Sequence, residues 1–281
     1  MLAITGASGQ LGRLAIEQVR ARLGDAACVA LARDPSRADG LGVAVRHFDY
    51  DAPDTLAPAL AGVRRLLLVS SSEVGRRVRQ HRAVIEAARA AGVQCVVYTS
   101  LLHADRSPLD LAAEHLETEA LLRASGLRHV VLRNGWYWEN HTQSLPGALA
   151  AGALAGCAGS GRISWAARAD YAEAAAVVLT SDREDGVLEL AGDRGHRLED
   201  LAAEVSRQAG RPVPYRDLPP AEYAALLASF GLPQALASAI AGWDAAAARD
   251  ALFDDSCTLS RLIGRPTMPV DEAVRRALSG A

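Results

Sequence analysis

Three glycines constrain the start of this chain more than any other feature. The segment Met1-Leu-Ala-Ile-Thr-Gly-Ala-Ser-Gly-Gln-Leu-Gly12 runs from an apolar stretch, Leu2-Ala-Ile4, through Gly6, Gly9 and Gly12 into an amphipathic pattern at Leu11, Leu14, Ala15 and Val19. A buried strand that turns directly into a helix leaves backbone N–H groups and the positive helix end facing an anion, and glycine allows both the tight turn and a close approach to the backbone. The spacing Gly-x-x-Gly-x-x-Gly also occurs in ordinary βα connections. The strand before it and the helix after it make the segment a dinucleotide-binding turn.

Apolar runs recur along the first half, at 2–4, 28–31, 43–48, 66–69, 95–98 and 130–132, with helical patterns between them. Strands joined by helices are parallel, with right-handed crossovers and helices on both faces, and burial on both faces accounts for the continuous apolar character. The fold class is therefore α/β, a doubly wound parallel sheet with its ligand crevice at the carboxyl ends of the strands. After Leu132 the regularity fades. A strand-like segment at 187–191 is expected to return to the sheet, and helices are expected at 198–208, 220–229, 234–248 and 270–278. This predicts a dinucleotide-binding unit over residues 1–133 and a smaller, mainly helical lobe over 134–281 that covers the crevice.

A chain of 281 residues, half of them hydrophobic, can bury a sizeable core as one large unit or two lobes. With 30 basic against 33 acidic residues there is no general basic field for a polyanion, so no nucleic-acid partner is expected. Cys28, Cys95, Cys157 and Cys257 lie far apart with no Cys-x-x-Cys pair, which suggests neither a metal site nor a disulfide framework. The chain opens on its first strand, which leaves no room for a signal sequence, and the longest uncharged stretch, 140–161, is interrupted by Pro146 and several glycines. A cytoplasmic protein without a membrane span is the expectation; the oligomeric state stays open.

The end of the second strand decides between cofactors, because an acidic residue there accepts bonds from a ribose 2′-OH and repels a 2′-phosphate. Here it reads Leu31-Ala-Arg33, with Arg37 one helical turn on. Arg33 can form charge-assisted bonds to the 2′-phosphate of NADPH; the competing reading is a solvated loop arginine tempered by Asp34. Asp49 and Tyr50 follow the third strand and are placed to bracket an adenine, or form a polar turn. Ser70, Ser71 and Ser72 end the fourth strand near the cofactor's path, and Thr99 ends the fifth.

A missing pair is equally informative. Alcohol dehydrogenases of the short-chain class carry Tyr-x-x-x-Lys on the helix after the fifth strand, the tyrosine serving as general acid or base. The corresponding helix here reads Leu111-Ala-Ala-Glu-His115: Leu111 cannot move a proton, and His115 stands where the lysine would be. Alcohol oxidation by that route is not expected. His115 is a candidate to hold the nicotinamide ribose, or else a helix-surface histidine.

These features together resemble the NmrA-like, atypical branch of the short-chain dehydrogenase/reductases, and more closely the type 2 NAD(P)H:quinone oxidoreductases, with triphenylmethane-dye reductases as near relatives. The residues that carry the resemblance are Thr5-Gly-Ala-Ser-Gly-Gln-Leu-Gly12, Ser70-Ser-Ser-Glu-Val-Gly75, Tyr98-Thr-Ser-Leu-Leu-His-Ala-Asp105, Leu132-Arg-Asn-Gly-Trp-Tyr137, Leu252-Phe-Asp-Asp-Ser256 and Leu262-Ile-Gly264. The first string is common to the superfamily; the serine string and Leu-Leu-His-Ala-Asp are more particular. The resemblance implies a two-lobed reductase that binds NADPH and passes hydride to a small quinone without a flavin. It implies that Gly6, Gly9, Gln10, Leu11 and Arg33 serve the cofactor's phosphates, with Ser8 and Gly12 of the same turn as further candidates, and that residues 134–137 line the nicotinamide and substrate side.

A quinone accepts hydride readily, so such a site needs little acid–base help and mainly positions the ring and excludes water. Tyr137 is the first candidate for a hydrogen-bond donor or ring contact, or else a packed aromatic. Asn134 is the candidate to orient the carboxamide or the substrate oxygen. His103 is a weaker candidate donor, and Trp136 and Asn140 are candidate substrate contacts. Two other readings stay open: a dinucleotide-binding redox sensor without turnover, and a reductase of dyes or other conjugated acceptors.

Overall fold

The apolar runs pair side by side in the computed structural model, which describes residues 1–279. In chain order the first half contains β1 (Leu2–Ile4), α1 (Gln10–Leu23), β2 (Cys28–Ala32), β3 (Ala44–His47), α2 (Leu56–Ala59), β4 (Arg65–Leu68), α3 (Arg77–Ala90), β5 (Cys95–Leu101), α4 (Ala112–Ala124) and β6 (Arg128–Asn134). The second half contains α5 (Glu139–Thr142), α6 (Leu145–Ala151), β7 (Leu154–Gly156), α7 (Arg168–Thr180), β8 (Asp185–Leu190), α8 (Leu198–Ala209), β9 (Tyr215–Asp217), α9 (Pro220–Ser229), α10 (Gln234–Ala247), α11 (Thr258–Ile263) and α12 (Val270–Ser279).

Seven strands form one sheet in the order β3-β2-β1-β4-β5-β6-β8. Every pairing in it is parallel. The strand order reverses between β1 and β4, and that switch point opens the crevice in which doubly wound folds bind ligands. One face is covered by α1 and α7 through Ala15, Ile16, Val19, Ala172, Ala175, Ala176 and Leu179. The run of alanines in α7 lets the two helices approach closely. The opposite face is covered by α3 and α4 through Val84, Ile85, Ala88 and Leu122.

The chain after residue 133 divides between the two layers. Besides β8, α7 lies with the sheet, a helix that the alternating pattern of the first half does not extend to. The remainder forms a separate apolar cluster around Trp138, Trp165, Leu198, Leu201, Val205 and Val274, with the Trp138 and Trp165 rings stacked 4.8 Å apart. It also carries a two-stranded parallel ladder, β7 with β9, whose three-residue strands are too short to leave a periodic signal. No helix among the described residues is long and apolar enough to cross a membrane. All four cysteines are free thiols.

Buried charges join the layers. Arg133 on β6 makes a two-pronged bond to Glu119 on α4 (Nε–Oε1 3.0 Å, Nη2–Oε2 2.8 Å), and its Nη1 lies 2.9 Å from Glu189 on β8. Glu119 is fully buried and also accepts from Ser100 Oγ at 2.7 Å. Glu189 in turn accepts the backbone N–H of His103 at 2.8 Å, while the His103 ring stands 3.5 Å from Glu189 and 3.4 Å from Asp254. The Leu-Leu-His-Ala-Asp string around His103 and the Leu-Phe-Asp-Asp-Ser string around Asp254 therefore meet each other. His103 is a structural cation here and does not line the crevice.

Its carboxylate partners raise the His103 pKa from 6.5 to about 9, and that of Asp254 falls from 3.8 to about 2. Stabilisation from the raised histidine is complete below pH 6.5 and is lost as pH rises through 9; that from the depressed aspartate is complete above pH 3.8 and is lost as pH falls toward 2. Thermal unfolding should therefore show a wild-type stability that declines by about 2–3 kcal/mol between pH 6.5 and 9 relative to His103→Gln. Parallel pH profiles for the two proteins would contradict the assignment.

Candidate active site

The glycine turn sits at the switch point. Gly6 is left-handed (φ +61°), and Gly9 N–H donates to its carbonyl at 2.9 Å. Gly12 presses the first turn of α1 onto that carbonyl: a Cβ at position 12 would lie 2.2 Å from Gly6 O. Only glycine fits. Helix α1 has no side-chain cap and no acidic residue in its first turn, so its leading N–H groups and positive end are open to the crevice. That combination fits a pyrophosphate.

The crevice is one continuous cleft of about 1780 Å³. Gly6, Ser8, Gly9, Gln10, Leu11 and Gly12 line it, as do Arg33, Asp49, Tyr50, Ser70, Ser71, Ser72 and Thr99. Trp136, Tyr137 and Asn140 line the same cleft beside Leu111. The Leu111 position is thus an apolar wall.

Arg33, two-thirds exposed at the end of β2, reaches Glu73 across the cleft (Nη1–Oε1 3.1 Å). Glu73 is held in turn by Arg76 at 2.8 Å and by Gln80 at 3.3 Å. The Tyr50 hydroxyl lies 2.5 Å from Thr5 Oγ1 and 2.9 Å from Val69 O, so it ties strand ends together and offers a ligand only its ring. Burial raises its pKa.

The serine loop is fixed from behind. Ser70 N–H donates to Thr99 Oγ1 at 2.9 Å, and Ser71 N–H to His81 Nε2 at 3.0 Å. Arg77 Nε donates to Ser71 O at 2.7 Å, and Glu114 accepts from both Arg77 Nη1 and Gly75 N–H at 2.9 Å. Because Ser71 N–H can only donate, His81 Nε2 is unprotonated; its Nδ1–H then donates to Thr118 Oγ1 at 3.0 Å, whose own proton goes to Glu114 O at 2.9 Å. Burial, with neighbouring His115 and Arg77, lowers the His81 pKa to about 3, so the neutral ring this pattern requires is the one present.

His115 and Asn134 do not reach the cleft wall. His115 is buried beneath the sheet with Nδ1 2.7 Å from the Tyr98 hydroxyl, and burial lowers its pKa to about 3. It is not a surface histidine and does not line the cleft: it lies on the buried face of α4 with Ala112, Thr118, Glu119 and Leu122, turned inward onto Tyr98. Asn134 is buried at the end of β6, and neither amide atom of its side chain has a hydrogen-bond partner among the described residues. Tyr137 is half-buried, with the Arg168 guanidinium 4.8 Å from its ring centroid and the Tyr171 ring 5.0 Å away. Burial raises the pKa of its hydroxyl.

Sequence reasoning missed Glu73 as the partner of Arg33, Arg168 above Tyr137, and Trp243. The Trp243 indole N–H donates to Asp110 Oδ1 at 2.8 Å, and its ring meets Trp136 edge-on at 5.7 Å. These contacts span 40, 31 and 133 positions of sequence, and no local pattern encodes them.

Residues 6–182 match the family model described as NAD(P)H-binding. The chain belongs to the NAD(P)H-binding family. Within that family it is 51% identical over 278 residues to quinone oxidoreductase 2 of Escherichia coli, covering 98% of this chain and 97% of the relative. The crystal structure of an NADPH-dependent quinone oxidoreductase from E. coli complexed with NADPH superposes with a TM-score of 0.96 at 51% identity over 99% of this chain and 100% of that one. The triphenylmethane reductase of Citrobacter sp. complexed with NADP(H) gives 0.95 at 32% identity over 99% and 100%. An NmrA-like family domain-containing oxidoreductase of Aspergillus flavus is 30% identical over 301 residues, 98% of this chain and 94% of the relative, which makes this NAD(P)H-binding chain an NmrA-like one.

Gly12→Ala tests the turn. The added Cβ must push α1 off the Gly6 carbonyl, so the affinity for NADPH by titration should fall at least about tenfold and stability by about 1–3 kcal/mol. Unchanged affinity would show that the helix start does not set the phosphate site.

Proposed function

We propose that this chain is an NADPH-dependent reductase that delivers hydride directly to a quinone without a flavin. The observation that carries the reading is the cleft itself: a complete dinucleotide turn at one end, and an apolar wall at Leu111 and Trp136 where alcohol chemistry would need a proton-transfer pair. Such a wall suits an acceptor that is already electrophilic. The E. coli relative, described as an NADPH-dependent quinone oxidoreductase, supports the same choice.

In this proposal Gly6, Ser8, Gly9, Gln10, Leu11 and Gly12 cradle the pyrophosphate, Arg33 takes the 2′-phosphate, and Asp49, Tyr50, Ser70, Ser71, Ser72 and Thr99 form the adenosine and nicotinamide-ribose wall. When bound, NADPH supplies two electrons and a proton as hydride. The residues of the chain stack the acceptor ring against Trp136 and Tyr137, exclude water and hold one oxygen. The quinone gains hydride and becomes a hydroquinone anion, which takes a proton from water to give the hydroquinone, leaving NADP⁺. Tyr137 keeps its own proton, since burial holds its hydroxyl above the ordinary phenol range, and so serves as a hydrogen-bond donor and ring contact. Asn134, behind the wall, is a positioning residue. Arg168, over the Tyr137 ring, fixes the ring's orientation by cation–π attraction.

We assign residues 1–133 to the cofactor lobe and 134–281 mostly to the covering lobe, with 168–190 returned to the first, and place the enzyme in the cytoplasm, where its free thiols remain reduced. The Citrobacter relative supports a second reading, reduction of extended conjugated dyes in the same cleft.

Two substitutions test the proposal. Arg33→Ala should weaken NADPH binding by about 1.5–3 kcal/mol and leave NADH nearly unchanged; equal losses for both cofactors would remove Arg33 from the 2′-phosphate. At Tyr137, Phe should retain substantial quinone turnover, with a loss smaller than the roughly 10²–10⁴-fold of general acid catalysis, while Ala should lower kcat/KM much further. If Phe is as damaging as Ala with cofactor affinity intact, the hydroxyl is a catalytic acid and the mechanism is wrong.

A further inference from the structure

The cleft extends well beyond its nucleotide end. Sites of about 300–1,000 Å³ enclose a drug-sized ligand, and this one reaches about 1780 Å³. Past the Trp136–Tyr137 wall the cleft continues between α9, α10 and the β7–β9 ladder, where Leu154, Leu218, Leu226, Leu227, Phe230 and Ile240 line it. Helix α9 and the Phe230 that caps it place Tyr223, Leu226, Leu227 and Phe230 along one side, three, four and seven residues on from Tyr223. A stripe with that spacing ordinarily packs into a core. Here only Tyr223 is buried; Leu226 and Leu227 are half-buried, and Phe230 is 69% exposed. Three charged side chains also line this end of the cleft: Arg216 and Glu222, both largely exposed, and Asp244, which is buried and already held by Cys157 N–H at 3.2 Å and by the His141 ring at 3.5 Å.

This annex is continuous with the ring site through one side chain. Trp243 meets Trp136 edge-on and is anchored to Asp110 beside Leu111, and it lines the cleft between the two ends. An acceptor ring at Trp136 and Tyr137 therefore has, at its edge, an apolar passage along Trp243 to Leu227 and Ile240.

We infer that the annex takes an aliphatic arm of the acceptor, so that the substrate class is an alkyl- or prenyl-substituted quinone rather than a bare ring. The inference rests on the quinone reading of the same cleft. Apolar area is left uncovered on both α9 and α10 and opens onto the reduction site, whereas a bare ring would leave that area in contact with water. Each methylene removed from water there contributes about fourfold in affinity, and an arm that buries three or more of them gains well over tenfold even with partial cover.

The test compares two 1,4-benzoquinones that differ only in one ring substituent, methyl in one and n-decyl in the other, so that intrinsic reactivity is matched. The quantity read is the ratio of kcat/KM, decyl over methyl, with NADPH saturating, in wild type and in Leu227→Asn and Ile240→Asn. The ratio is internal to each protein, so a general loss of activity in a variant cannot imitate the effect. The expected result is a wild-type ratio of at least about ten that falls toward one in both variants. A wild-type ratio near one, with the methyl quinone well turned over, overturns the arm site and leaves the quinone reading standing. A high ratio that neither variant lowers also overturns it, because the gain then arises outside the annex. Failure to reduce either quinone by protein that binds NADPH overturns the quinone reading and the arm site together.

Discussion

The contact of Gly12 with the Gly6 carbonyl is the constraint on which the rest of the site depends. It seats the first turn of α1 directly on the end of β1, and that seat points the uncapped N–H groups of the helix into the switch point of the sheet. Everything else in the cleft is measured from it. The ends of β2, β3, β4 and β5 bring Arg33, Asp49, Ser70 and Thr99 around the same crevice because parallel pairing in register with β1 gives them a common edge.

A second layer of polar groups holds that edge still. His81, Arg77 and Glu114 grip the serine loop by its backbone, and the buried pair Arg133–Glu119 locks β6 to α4. Buried charges of this kind are costly to desolvate and strongly destabilising to break singly. Their continuation through Glu189 and His103 to Asp254 fastens the carboxyl-terminal segment to the sheet. Of the two more particular sequence strings, Leu-Leu-His-Ala-Asp supplies one of these supports through His103, and the serine string lines the cleft in front of them.

The central strands β2, β4 and β5 are legible because they are buried on both faces and stand out as apolar runs, whereas the edge strands β3 and β8 are exposed or half-buried over most of their length, β8 being marked only by Val187-Leu-Glu-Leu. The glycine turn was legible for the opposite reason, since backbone geometry there admits few residue types. His115 was not, because its spacing from Leu111 matches a known pair while its direction depends on Tyr98, supplied by β5. Asn134 likewise sits in a string that faces the cleft only two residues later. Helix α7 escaped notice because alanine has no periodic contrast to read, and β7 and β9 because a three-residue ladder has no period at all. Glu73 was visible as a residue but not as the partner of Arg33, since nothing local links the two.

The central claim is direct transfer between a nicotinamide held by the α1 turn and a quinone at Trp136 and Tyr137. A single-turnover reaction of purified protein with NADPH deuterated at the transferring C4 position, mixed with one equivalent of methyl-1,4-benzoquinone, tests it most directly. The account expects NADPH oxidation and hydroquinone formation in equal amounts and at one rate, slowed by deuterium, in protein with no flavin absorbance. Turnover that depends on a bound flavin, or hydroquinone that forms in a separate phase insensitive to deuterium, would contradict it.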